Sequence, residues 1–74
     1  MTRYVILCGD KYVAAVQADT KKILLTSEKE DAGSWVTYER TIKAARFVQD
    51  TTGNAVVIQS VQEGEYPKSW NGRE

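Results

Sequence analysis

The chain has 74 residues, with 10 basic and 10 acidic side chains and a formal net charge of zero. That length gives room for one domain with a small core, and the balanced charge provides no global field to steer the chain toward nucleic acid or an anionic membrane. There is no histidine and one cysteine, which removes the commonest general base, the usual activator of a Ser or Cys nucleophile, and any tetrahedral Cys/His zinc site.

Arg3 to Cys8 is rich in strand formers, and so is Tyr12 to Val16. The Gly9-Asp10 pair between them predicts a tight hairpin. Asp19-Thr20-Lys21 is a second polar turn, followed by a short third strand over about Lys22 to Thr26. The three strands are expected to form an antiparallel meander. Ser27 and Glu30 have the spacing of a capping box, which predicts one helical turn ending at Gly33. Trp35 and Val36 then read as a brief extended segment.

Tyr38 to Thr52 is the one strongly patterned helix. Thr37 is a good N-cap and Gly53 a natural stop. Tyr38, Ile42, Ala45 and Val48 fall on one face at helical spacing. Asn54 to Gln62 is the last strand, and its run of consecutive apolar residues from Ala55 to Ile58 predicts cover on both faces or a central place in the sheet. From Glu63 the chain is polar and punctuated by Gly64, Pro67 and Gly72.

The expected fold is α+β, a four-stranded, mostly antiparallel sheet with one helix packed on one face, in the order β-β-β-α-β. Residues 1–62 form the domain and 63–74 a flexible tail. The expected core is Val5, Leu7, Val13, Ala15, Ile23, Leu25, Tyr38, Ile42, Ala45, Val48, Val56 and Ile58, with Trp35 at its rim. A one-residue slip in register would exchange the faces. One helix covers one face of such a sheet, so the other face is expected to be partly open.

No P-loop, dinucleotide fingerprint or nucleophile elbow is present. Cys8 reads as a small hydrophobe, buried or half-buried at a strand end. Glu28, Glu30 and Asp31 do not match a calcium loop and read as a solvated, helix-capping acidic loop. The sequence therefore predicts no catalytic residue, no metal site and no cofactor, and the chain is read as a non-enzyme.

Candidate partner-binding residues fall into three groups. Arg40, Lys43 and Arg46 recur three residues apart on the helix, where they could meet phosphates or an acidic partner. Glu39 and Asp50 stand four residues from Lys43 and Arg46 and could neutralise them. Tyr4 and Tyr12 flank the hairpin, where they could be cross-strand neighbours forming an aromatic patch on the open face. Tyr66 and Trp70 are large aromatics in a polar tail, and they either fold back over the sheet or stay as anchors that order on binding.

The stretch Glu30-Asp31-Ala32-Gly33-Ser34-Trp35-Val36-Thr37-Tyr38-Glu39, with Ala44-Ala45, resembles small α+β proteins encoded by bacteriophages and prophages. The likeness covers about half the chain. It implies a binder that blocks a host enzyme, as anti-CRISPR proteins and phage inhibitors of host polymerase do. A neutral chain does not fit a simple DNA mimic.

The functional expectation is a non-catalytic protein-binding module, an inhibitor of a host defence or transcription complex. The alternative is a small nucleic-acid-binding accessory protein using the basic helix ridge. A homodimer through an open sheet edge is a further option, since no proline protects the strands. No run approaches the ~20 apolar residues of a membrane span and the N-terminal apolar run is short for a signal peptide, so a cytoplasmic location without membrane contact is expected.

Overall fold

The structure is a computed structural model that describes residues 2–67 and 70. Four strands form one antiparallel sheet: β1 (Thr2–Cys8), β2 (Lys11–Gln17), β3 (Lys22–Thr26) and β4 (Val56–Gln62). A short 3-10 turn (Lys29–Asp31) and one helix, α1 (Tyr38–Thr52), lie between β3 and β4. The strand order is β3-β2-β1-β4. The α+β fold in the order β-β-β-α-β is the one the sequence predicts.

Local chemistry sets the helix ends. Thr37 is extended and its hydroxyl accepts from the Arg40 N–H at 3.4 Å, which satisfies one donor of the first turn. Gly53 closes the helix at φ 74°, and its N–H donates to the Gln49 carbonyl. A residue without Cβ takes that left-handed geometry at little cost.

The 3-10 turn differs from expectation. Ser27 does not cap it. Glu28 occupies the cap position without a side-chain bond, and Ala32, not Gly33, ends the turn. The Glu28 N–H goes instead to the hydroxyl of Thr26 at 3.1 Å. A local side-chain bond from the end of β3 thus replaces the capping box.

The hairpin of β1 and β2 stays paired for only two residue pairs, Leu7 with Tyr12 and Cys8 with Lys11. Beyond them a bulge between Val13 and Ala15 bends β2 away, as an extra residue in one strand does. Residues 33 to 35 fill the gap. The Gly33 N–H donates to the Val13 carbonyl at 3.0 Å, and Trp35 exchanges two hydrogen bonds with Tyr4, at 2.8 and 2.9 Å. The extended segment expected at Trp35 is therefore a wedge of backbone set between two sheet strands. Its side chains alternate between faces. Trp35 packs toward the helix core, whereas Ala32 is buried on the opposite face.

Two apolar clusters result, one on each face. On the helix side Ile6, Cys8 and Val13 pack with Ala45 and Val48, flanked by Val16, Ile23, Val56 and Ile58. On the other side Val5, Ala32, Val61 and Trp70 are buried together, flanked by Leu7, Tyr12 and Tyr66. Val5 and Ile6 are neighbours in sequence and both have no exposed surface. The inward set of β1 is thus Ile6 and Cys8 for the helix core, with Val5 and Leu7 serving the second cluster.

Three core expectations are corrected. Leu25 and Tyr38 are exposed, Leu25 because it lies on the edge strand β3 and Tyr38 because it sits at the first helical position. β4 is an edge strand and not a central one. Its apolar run is covered on one face only, so Val57 remains 62% exposed.

Candidate functional site

An open groove of about 330 Å³ lies between α1 and β4. Tyr38, Ile42, Ala45, Arg46 and Gln49 form its helix wall, and Val56 and Ile58 form its sheet floor. Its position follows from topology. The helix lies against β1 and β4, and β4 has no further strand beyond it. The ledge beyond β4 therefore has a helix wall but no outer strand.

Backbone direction on β4 can be read from its neighbour. In an antiparallel ladder a residue's N–H and C=O point to the same side, and the side alternates along the strand. Both groups of Tyr4 are bonded to Trp35 and so point away from β4. Ser60, opposite Tyr4, must then point its own groups away from β1, into the open edge. The same parity applies to Ile58 and Val56. Gln62 shares this parity: its N–H donates to Glu65 Oε1 at 3.2 Å and its carbonyl accepts from the Glu65 N–H at 2.9 Å. Glu65 thus occupies the outward groups of Gln62, while among the described residues those of Val56, Ile58 and Ser60 meet no strand. Val56 and Ile58 combine outward backbone groups with side chains in the groove.

The expected site residues do not assemble into one surface. Tyr4 is on the helix face, where its ring meets Tyr38 edge-on at 5.5 Å between centroids, at one end of the groove. Tyr12 pairs with Leu7 and packs on the opposite face beside the Val5 cluster. The two tyrosines are therefore not cross-strand neighbours and form no common patch. The face expected to be open is partly covered, because the C-terminal aromatics fold back onto it. Trp70 is 3% exposed, its ring lies 5.4 Å from that of Tyr66, and the guanidinium of Arg3 stands 5.9 Å from the Tyr66 ring centroid. Of the segment expected to be a flexible tail, residues 68, 69 and 71–74 lie outside the described residues.

Arg40, Lys43 and Arg46 are all exposed. At 100° per residue they wind across about 120° of the helix surface, so only Arg46 reaches the groove. Among the described residues no contact ion pair joins Lys43 to Glu39 or Arg46 to Asp50.

Cys8 is buried, with Sγ 3.8 Å from Thr52 Oγ1, as fits a small apolar core residue. Glu28, just before the 3-10 turn, and Asp31, its last residue, are exposed. Among the described residues no group of Cys, Asp and Glu side chains is arranged to hold a metal ion, and no helix is long and apolar enough to cross a membrane.

The sequence places Ile42, Val56 and Ile58 in the core and does not single out Gln49. The available signal was Gln49 itself, a polar residue seven positions after Ile42 on an otherwise apolar stripe, which marks where the helix face meets solvent. Comparisons of this chain with protein-family models, with curated proteins and with solved structures find no match.

Proposed function

We propose that the chain is a non-catalytic protein-binding module that takes up an extended segment of a partner protein along the outer edge of β4. One observation carries this reading. The residues whose backbone groups face the unpaired edge, Val56 and Ile58, are also the floor of the groove under α1. A strand added there would gain main-chain hydrogen bonds from β4, and every second side chain would enter the groove against Tyr38, Ile42 and Gln49. Main-chain bonds would supply affinity and alternate side chains specificity. Arg46 at the rim suits a carboxylate or backbone carbonyl of the incoming segment.

The biological setting, inhibition of a host defence or transcription complex, is carried by the resemblance to phage-encoded inhibitors. On this reading the chain would act by occupying a segment that the complex needs.

The test is a selection from a displayed library of unstructured peptides against the intact chain. Retained peptides should share apolar residues at every second position and should lose binding at least about tenfold with Ile58→Lys. Val57→Lys, on the opposite face of the same strand, should leave binding unchanged. Peptides that bind equally well to the Ile58→Lys variant, or a selection that retains none, would overturn the reading.

A further inference from the structure

A second edge of the sheet has a different character. β3 is five residues long, Lys-Ile-Leu-Leu-Thr, and among the described residues it pairs with β2 alone. Leu24 is 47% and Leu25 42% exposed. An unprotected apolar edge is a template for another strand.

Its backbone direction can also be read. The Val13 carbonyl accepts from Gly33, so Val13 points away from β3, and Leu25 opposite it points outward. Ile23 shares that parity, and the bulge lies on β2 without disturbing it. Ile23 and Leu25 therefore present their N–H and C=O groups to the open edge.

We propose that β3 pairs antiparallel with β3 of a second copy of this chain, about a two-fold axis at Leu24. Three features select this occupant and this register. Self-pairing must bring outward-facing residues opposite each other, and Ile23 of one copy facing Leu25 of the other does so in both directions. The register centred on Leu24 alone sets each of the three apolar residues against an apolar partner. One centred on Ile23 would place lysines opposite leucines, and one centred on Leu25 would place Ile23 opposite Ser27.

The charges are self-complementary as well. Lys21 precedes the strand, Lys22 opens it and Glu28 follows it, so antiparallel pairing sets Lys22 opposite Thr26 of the other copy with Glu28 on the diagonal, within reach of a long side chain. A parallel arrangement would place like charges together. An interface with the same patch on both subunits is the ordinary form of a two-fold dimer. The sheet would become eight-stranded, and both exposed leucines would be covered.

The strand is short, so the contact falls in the small-interface class, with an expected dissociation constant of about 100 μM. Sedimentation of the intact chain from low micromolar to millimolar concentration should show a monomer–dimer equilibrium. Leu24→Lys places two ammonium groups at the axis and should weaken it at least about tenfold, with an unchanged circular dichroism spectrum. Ile58→Lys, on the other edge strand, should leave it intact, which separates this proposal from the peptide groove.

Register is read by oxidising Leu24→Cys, which should form a disulfide-linked dimer because residues opposed across the axis lie within bridging distance. Lys22→Cys, about 13 Å from its own copy by strand rise, should not. A monomer at every concentration, a dimer indifferent to Leu24→Lys, or equal cross-linking at both cysteines would overturn the proposal.

Discussion

The α-carbon of Gly33 lies so close to Ala14 that a β-carbon built on it would stand 2.7 Å from the Ala14 carbonyl oxygen. The obstacle is backbone, so it cannot swing aside. It is also the bulged residue of β2, whose displacement opens the gap that the 33–35 segment fills. Gly33→Ala is expected to destabilise the fold by about 1–3 kcal/mol. Thermal unfolding should show a midpoint lower by about 4–8 °C per kcal/mol. An unchanged midpoint would mean that the wedge can shift without cost.

Trp70 is nearly fully buried, yet its indole Nε1 finds no acceptor among the described residues. Burial of the ring stabilises the fold, while an unpaired buried donor costs about 1–3 kcal/mol. The two effects separate by substitution. Trp70→Ala should lose about 3–5 kcal/mol. Trp70→Phe loses area but also removes the orphan donor, and should stay within about 1 kcal/mol of the parent. Urea denaturation of both variants measures the difference, and equal losses would show that the indole N–H has a partner.

The Thr37 cap predicts a smaller and more local effect. Its hydroxyl serves the Arg40 N–H, and its carbonyl accepts both the Thr41 N–H and the Thr41 hydroxyl, the latter at 2.7 Å. Thr37→Ala removes only the first of these and should cost about 1 kcal/mol. Thr37→Asp keeps an acceptor at a helix N-terminus and should restore most of the loss. Equilibrium denaturation that ranked Asp with Ala would contradict the cap.

The basic helix ridge can be tested through salt. If Arg40, Lys43 and Arg46 together met a phosphate backbone, log K against log salt would fall with a slope of about −2.7. Because they wind around the helix, a rigid duplex is not expected to engage all three. Titration of the intact chain with a labelled duplex should give weak binding and a shallower slope. A slope near the full value, abolished by Lys43→Glu, would favour the nucleic-acid reading over the peptide groove.

The apolar run at Val56-Val57-Ile58 and the one at Val5-Ile6 make the same local pattern, and the sequence supports the same reading for both. The structure gives them opposite outcomes. β1 lies inside the sheet, with the helix over one face and Ala32, Val61 and Trp70 over the other, so both of its adjacent residues are buried. β4 is at an edge and leaves Val57 exposed. Which strand occupies the centre depends on β4 returning beside β1, a long-range pairing with no local signature. Elements with local causes were legible: the Thr37 and Gly53 helix ends, the turn at Gly9-Asp10 and the meander. The groove was not, because its walls come from α1 and β4, whose mutual placement is a tertiary event. Tyr4 and Tyr12 failed as a patch for a related reason: β1 and β2 separate just past Tyr12, and Trp35 takes the place that β2 would have held beside Tyr4.

The wedge at 32–35 also bears on how the molecule comes apart. Ala32 belongs to the apolar cluster on one face and Trp35 packs against the cluster on the other, with Gly33 and Trp35 bonded to β2 and β1 between them. Withdrawing this stretch would remove a member from each cluster and strip hydrogen-bond partners from two strands at once. The two halves of the core are therefore expected to melt together. Fluorescence from Trp35 and Trp70, which report on opposite faces, should follow a single unfolding curve, the mark of a chain that opens as one cooperative unit.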